Sequence, residues 1–204
     1  MRAGRLLVLL LLAGCATRSP LTLQTPATAD TALEQRARQT MRELVPRGTR
    51  LTQRAIVNAA GRQFSCDGLL QIATDGDLRL ALLAPMGVIA ELHVPPDQAI
   101  EVVKTAPSFP EPWARQYVGT TARLLFAMDE SAFSFGRLTD GRPVLWKDTA
   151  EGERWLYVFN ADGTQWQEAE MARGGTRLCH AVGTPASIHV TAPAFELDLR
   201  TMGR

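Results

Sequence analysis

The stretch LRLALLAPMGVIAELHV, residues 78–94, decides how this chain is read. Before its break, Leu78, Leu80 and Leu82 alternate with Arg79, Ala81 and Leu83. After it, Val88, Ala90, Leu92 and Val94 alternate with Ile89, Glu91 and His93. A period of two on both sides of Pro-x-Gly predicts an antiparallel hairpin with one buried face. Pro85 presets φ for the second position of a tight turn, and Gly87 suits the fourth. Met86 is left at the tip, where a turn with only a structural role carries Asn, Asp or Ser. An apolar side chain exposed there gains nothing from folding and gains on meeting a lipid or a partner.

Strand patterns extend from the hairpin in both directions. Residues 54–59, 63–73, 78–83, 88–94 and 100–104 read as five successive antiparallel strands. Gly61, Asp75-Gly76, Pro85-Met86-Gly87 and Pro95-Pro96-Asp97 break them. Upstream, Asp30 or Thr31 caps a helix running to about residue 45, with Ala32, Leu33, Ala37, Met41, Leu44 and Val45 as its apolar stripe. Pro46 and Gly48 end it. Downstream, Pro107, Pro110 and Pro112 make an extended connector, and residues 113–128 fit a helix despite Gly119.

Residues 131–138 form a short strand with Phe133 and Phe135 on one face. A second meander follows at 144–147, 154–160, 166–172 and 176–181, punctuated by Asp140-Gly141, Glu151-Gly152 and Asp162-Gly163. Residues 187–201 turn Phe195, Leu197 and Leu199 to one side. Pro193 interrupts them, so this strand is either bent or at an edge. The fold expected is mainly β (α+β): an unclosed antiparallel half-barrel with a helical lid. Such a sheet can pack solid or enclose an apolar cavity, and the pattern fits both.

The first residues read as an address. Arg2 and Arg5 precede an apolar run, and Leu12-Ala13-Gly14-Cys15 closes it with small residues and a cysteine. The run is too short to span a bilayer, which takes about 20 residues. Residues 1–14 are expected to be a signal peptide and 15–30 a Thr-, Pro- and Ala-rich tether. Residues 31–204 then form one domain, expected to be a monomer. The formal net charge of +1 comes from interspersed acids and bases, with no basic stripe for nucleic acid. Cys66 and Cys179 can form a disulfide or sit as two separately buried thiols, and both readings stay open.

Signatures of covalent chemistry are missing. The chain has no GxSxG, no P-loop, no GxGxxG and no CxxC. His93, His180 and His189 have no second ligand-type residue at metal spacing and read as sheet-surface or turn histidines. Asp129-Glu130 and the pair Glu168 and Glu170 read as solvated faces. No cofactor, metal or enzymatic activity is expected. Trp155, Tyr157 and Phe159 share one strand face, while Leu156 and Val158 occupy the other, so this strand is covered on both sides. Core packing accounts for such an aromatic stripe more often than a ligand site does.

Leu12-Ala13-Gly14-Cys15 resembles a bacterial lipobox, which implies cleavage before Cys15 and lipid on its sulfur and amine. Ala16 in place of Asp after that cysteine implies transfer to the outer membrane. Residues 78–83 running into Pro85-Met86-Gly87 and then Glu91-Leu92 resemble the LolA/LolB-like lipoprotein family, and in particular its outer-membrane receptor branch. The resemblance implies an unclosed β-barrel whose apolar interior holds acyl chains under a helical lid. In that branch the turn projects a leucine that helps insert lipoproteins into the membrane; here Met86 stands in its place.

The cavity lining so implied is Leu78, Leu80, Leu82, Leu92, Phe133, Phe135, Trp155, Tyr157 and Phe159. The implied partners are a periplasmic LolA-like carrier, lipoprotein acyl chains and the outer membrane. Against this stands an accessory or structural envelope lipoprotein of the same fold without receptor activity.

Overall fold

Helix α1 (Thr31–Leu44) starts where Asp30 caps it: the carboxylate accepts the Leu33 N–H at 3.1 Å, satisfying a donor the first turn leaves unpaired. Leu33, Ala37 and Met41, spaced four apart, form its buried stripe. The computed structural model describes residues 21–24, 30–44, 47–96, 98–126 and 129–203. The expected signal peptide, Cys15, most of the expected tether, Val45, Pro46, Asp97 and Met128 lie outside the described residues.

Twelve strands follow in one antiparallel sheet. The first meander is β1 (Thr49–Ala59), β2 (Arg62–Ile72), β3 (Leu78–Ala84), β4 (Gly87–Val94) and β5 (Glu101–Thr105). The chain then passes through the helical turn α2 (Glu111–Trp113), a π-helical stretch (Ala114–Gly119) and α3 (Thr120–Phe126). The second meander is β6 (Ser134–Arg137), β7 (Pro143–Asp148), β8 (Glu153–Phe159), β9 (Trp166–Arg173), β10 (Thr176–Thr184), β11 (Ser187–Ala192) and β12 (Phe195–Gly203). The expected strand interrupted at Pro193 is in fact two strands, β11 and β12, paired with each other. A proline with no N–H to give the ladder sits in the turn between them.

The spatial order β5-β4-β3-β2-β1-β12-β11-β10-β9-β8-β7-β6 explains the lid. β12 pairs with β1 and joins the two meanders, leaving β5 and β6 as the outermost strands. The chain between them must cross from one edge to the other, and it does so over the concave face. That face is apolar by period two. Phe135, Leu145, Tyr157, Ala169, Ala181, Val190, Leu197 and Val57 stand in one register row, and most are buried. Helix α1 covers the half over β7 and β9, and the lid covers the half over β4 and β5.

β8 is covered on both sides, as its pattern demands. Leu156 and Val158, with Leu138 and Val144, form a small outer cluster under Leu21 and Leu23. Part of the stretch expected to be tether is thus docked. Leu23 bridges Leu138, the Gln24 N–H donates to the Arg137 carbonyl at 2.8 Å, and the Thr139 N–H donates to the Thr22 carbonyl at 2.9 Å. This segment shields the end of an otherwise open edge and an apolar patch together.

Candidate functional site

The lid and the sheet beneath it hold the candidate site. Gly119 is what lets them meet. A Cβ there would stand 2.7 Å from Ile100 Cγ2 and 3.3 Å from Leu92 Cδ2, so the helix approaches β4 only because the side chain is missing. The two ends of the lid are held differently. In α3, Leu124, Leu125 and Phe126 are buried, and the Tyr157 hydroxyl donates to the Leu124 carbonyl at 2.7 Å. Burial pushes the Tyr157 phenol well above its ordinary value, so it keeps its proton and remains a donor.

The other end is a latch of half-buried rings. Trp113 and Tyr117 lie 4.9 Å apart by centroid, and both meet Phe195 at the start of β12, at 6.2 and 5.5 Å. Phe109 closes edge-on against Trp113 at 5.8 Å. This end carries the π-helical stretch, a geometry that marks local departures from a stable α-ladder.

Between the lid and strands β1, β2, β3 and β12 lies a cavity of about 80 Å³. Its sheet side includes Ala55, Val57, Leu80, Leu82 and Leu199, and the lid contributes Trp113, Tyr117 and Phe126. Pockets for drug-sized ligands run to about 300–1,000 Å³. With the lid down, this hollow therefore admits a few methylene-sized groups, and a fatty chain needs the lid raised. Besides the polar tips of Trp113 and Tyr117, its wall holds Thr121, whose hydroxyl lies beside the Cys179 thiol, and Gln53.

The expected lining residues divide. Leu80 and Leu82 reach the cavity. Leu78 and Leu92 share their face but sit in solid core, at 0% and 2% exposure. Phe133, Phe135, Trp155, Tyr157 and Phe159 belong to the other half of the concave face and do not line the hollow. Phe133 packs edge-on against Tyr157 at 5.2 Å, and the Lys147 ammonium sits 4.9 Å over both Phe133 and Trp155. The aromatic stripe is core packing. The reason is topological: α1 and α3 fill the space above β8, which no local pattern reveals.

At the hairpin tip, Met86 is fully exposed, with Gly87 at φ +118° behind it and Pro85 before it. Cys66 and Cys179 are free, buried thiols, on β2 and β10. Three strands separate β2 from β10 in the sheet, at about 4.8 Å per step, so no bridge joins them. Burial pushes the Cys66 thiol up to about 11 and the Cys179 thiol up to about 12, which keeps both protonated and unreactive.

Each histidine has a carboxylate partner. His93 meets Asp77 at 2.7 Å, His180 meets Glu168 at 2.7 Å, and His189 meets Asp198 at 2.8 Å. Among the described residues no three His, Cys, Asp or Glu side chains converge to hold a metal ion. No described helix is long and apolar enough to cross a membrane.

Pattern reading missed Trp113, Tyr117 and Phe195 as one unit, and Gln53 altogether. The i, i+4 spacing of Trp113 and Tyr117 was a usable signal for a shared helical face. Gln53 falls just before the expected start of its strand. Carrying the alternation back to Leu51 places it on the inner face.

No protein-family model matches the chain, and no curated protein matches its sequence. Solved structures do match in fold. A LolA superfamily protein from Nitrosomonas europaea aligns with a TM-score of 0.55 at 11% identity, over 86% of this chain and 93% of that one. A putative outer membrane lipoprotein-sorting protein domain from Vibrio parahaemolyticus aligns at 0.52 and 10% identity, over 86% and 92%. The open half-barrel with its helical covering is therefore the LolA-like fold.

Proposed function

We propose that this protein is an outer-membrane-anchored lipoprotein that takes lipoprotein acyl chains from a periplasmic carrier and inserts them into the membrane. The observation that carries the reading is a fully exposed methionine on a two-residue turn at one end of a lidded, apolar half-barrel. The turns at residues 60–61, 85–86 and 193–194 share that end of the sheet. Phe195, a wall of the cavity, stands beside the last of them. A tip that dips into lipid would therefore bring the cavity's aromatic latch toward the bilayer. The lipobox-like Cys15 supplies the anchor.

Transfer here needs neither a nucleotide nor a covalent step. Burial of apolar chain drives uptake, and a difference of about 1.4 kcal/mol between carrier and receptor is tenfold in occupancy. Methionine suits the tip, being apolar and flexible enough to settle among disordered acyl chains. The test is a reconstituted transfer from a loaded carrier to liposomes. Met86→Glu should fold normally and accept cargo yet deliver it poorly; delivery at the wild-type rate would remove Met86 from the mechanism.

One observation favours a second reading, an accessory envelope lipoprotein without receptor activity. The hollow is only about 80 Å³ with the lid down. In that case no acyl species copurifies and no carrier is captured.

A further inference from the structure

Gln53 is a polar residue on the otherwise apolar inner face of β1. On β1 the inward positions are Leu51, Gln53, Ala55 and Val57, and the glutamine is 3% exposed between outward-facing Thr52 and Arg54. Its side chain borders the cavity. An inward amide in a largely apolar wall offers an occupant hydrogen bonds that leucine in its place would not.

The surroundings leave room for a partner. The residue opposite on β2 is Gly68, which in turn faces Leu82 on β3. A Cβ at Gly68 would stand 3.4 Å from Leu70 Cδ1 and 3.7 Å from Leu80 Cδ1, so the glycine leaves a gap among these leucines on the strand opposite Gln53. The β1–β12 ladder slips between Thr52 and Gln53, an irregularity of the kind that re-aims a side chain.

We infer that Gln53 is a ligand-recognition residue: it donates a hydrogen bond from its amide to the neutral ester or amide carbonyl of a bound acyl chain. This rests on the acyl-binding reading of the cavity and adds to it the chemical class and the register of the ligand. The carbonyl is acceptor-only, which matches the Gln NH₂. A free carboxylate is disfavoured. No cationic side chain borders the cavity, and the neighbouring Arg54 faces outward, paired with Asp67 at 2.9 Å. Apart from Thr121, the Tyr117 hydroxyl and the Trp113 indole N–H, the remaining lining is apolar and with the lid raised accommodates the methylenes beyond the carbonyl.

The experiment uses the full-length protein and two probes, methyl palmitate labelled with ¹³C at its carbonyl and hexadecane. Gln53→Leu should weaken methyl palmitate about five- to tenfold, the value of one hydrogen bond, and leave hexadecane bound as tightly or more tightly. In the wild type, the labelled carbonyl stretch should fall below its frequency in alkane solvent, and Gln53→Leu should restore it. Equal weakening of both probes, or an unshifted carbonyl in the wild type, overturns the role of Gln53 while leaving the acyl cavity standing. Failure of the wild type to bind either probe overturns both.

Discussion

Replacing Phe195 with alanine should release one end of the lid and leave the other in place. Phe195 is 8% exposed and makes two ring contacts with the lid, to Trp113 at 6.2 Å and Tyr117 at 5.5 Å. Each aromatic pair contributes about 0.5–1.5 kcal/mol beyond the area it buries, so losing both lowers the local cost of opening by about 1–3 kcal/mol. That is roughly a 5- to 160-fold rise in the open population. The global loss is larger, about 3–5 kcal/mol for removing a buried phenyl, because it also creates a void.

Native-state hydrogen exchange separates the two effects, since amides report the opening of their own segment. Residues 113–118 should exchange faster by the factor above under conditions where the sheet remains protected. Residues 120–126 should hold, because Leu124 is fully buried and the Tyr157 hydroxyl bonds its carbonyl. If both segments accelerate together, the lid moves as one body and its two ends are not held independently. If neither does, the rings are not a latch.

Further outcomes follow from other contacts. Gly119→Val should destabilise by about 1–3 kcal/mol through collision with Ile100, measured by urea unfolding, and Ile100→Ala in the same chain should recover much of it. Glu168 is held down to about 2, chiefly by its hydrogen bond with His180 and then by Arg142. Its contribution is therefore complete above the ordinary carboxylate range and is lost as pH falls from about 4.5 toward 2. It amounts to about 2–3 kcal/mol. Glu168→Gln should flatten the acid limb of the stability profile; a variant with the same acid limb as the wild type would show that the pair contributes nothing.

Local pattern carried the hairpin and its tip well. Leu78, Leu80 and Leu82 alternate and are buried, and the Pro85-Met86 turn lies where Pro-x-Gly chemistry puts it. The helix from Thr31 was legible for the same reason: its cap and its stripe are both local. What was not legible depends on partners distant in sequence. The pairing of β1 with β12, Ala55 opposite Leu199 for example, joins the ends of the domain and fixes which edges stay open. Pattern places Trp155, Tyr157 and Phe159 on one face, but only the topology shows that helices fill the space above them. Gln53 was missed because a polar residue at an inward position reads as the absence of a strand; what marks it is its place in the cavity wall.

The central claim is that acyl chains enter between the lid and strands β1–β3 and β12. Photolabelling the full-length protein with methyl palmitate bearing a diazirine at its far end tests this most directly. Adducts mapped by peptide mass spectrometry should concentrate on Leu80, Leu82, Trp113 and Phe195 and be competed away by unlabelled ester. Adducts spread over the outer face of the sheet, or no labelling above that of the unfolded chain, would contradict the claim.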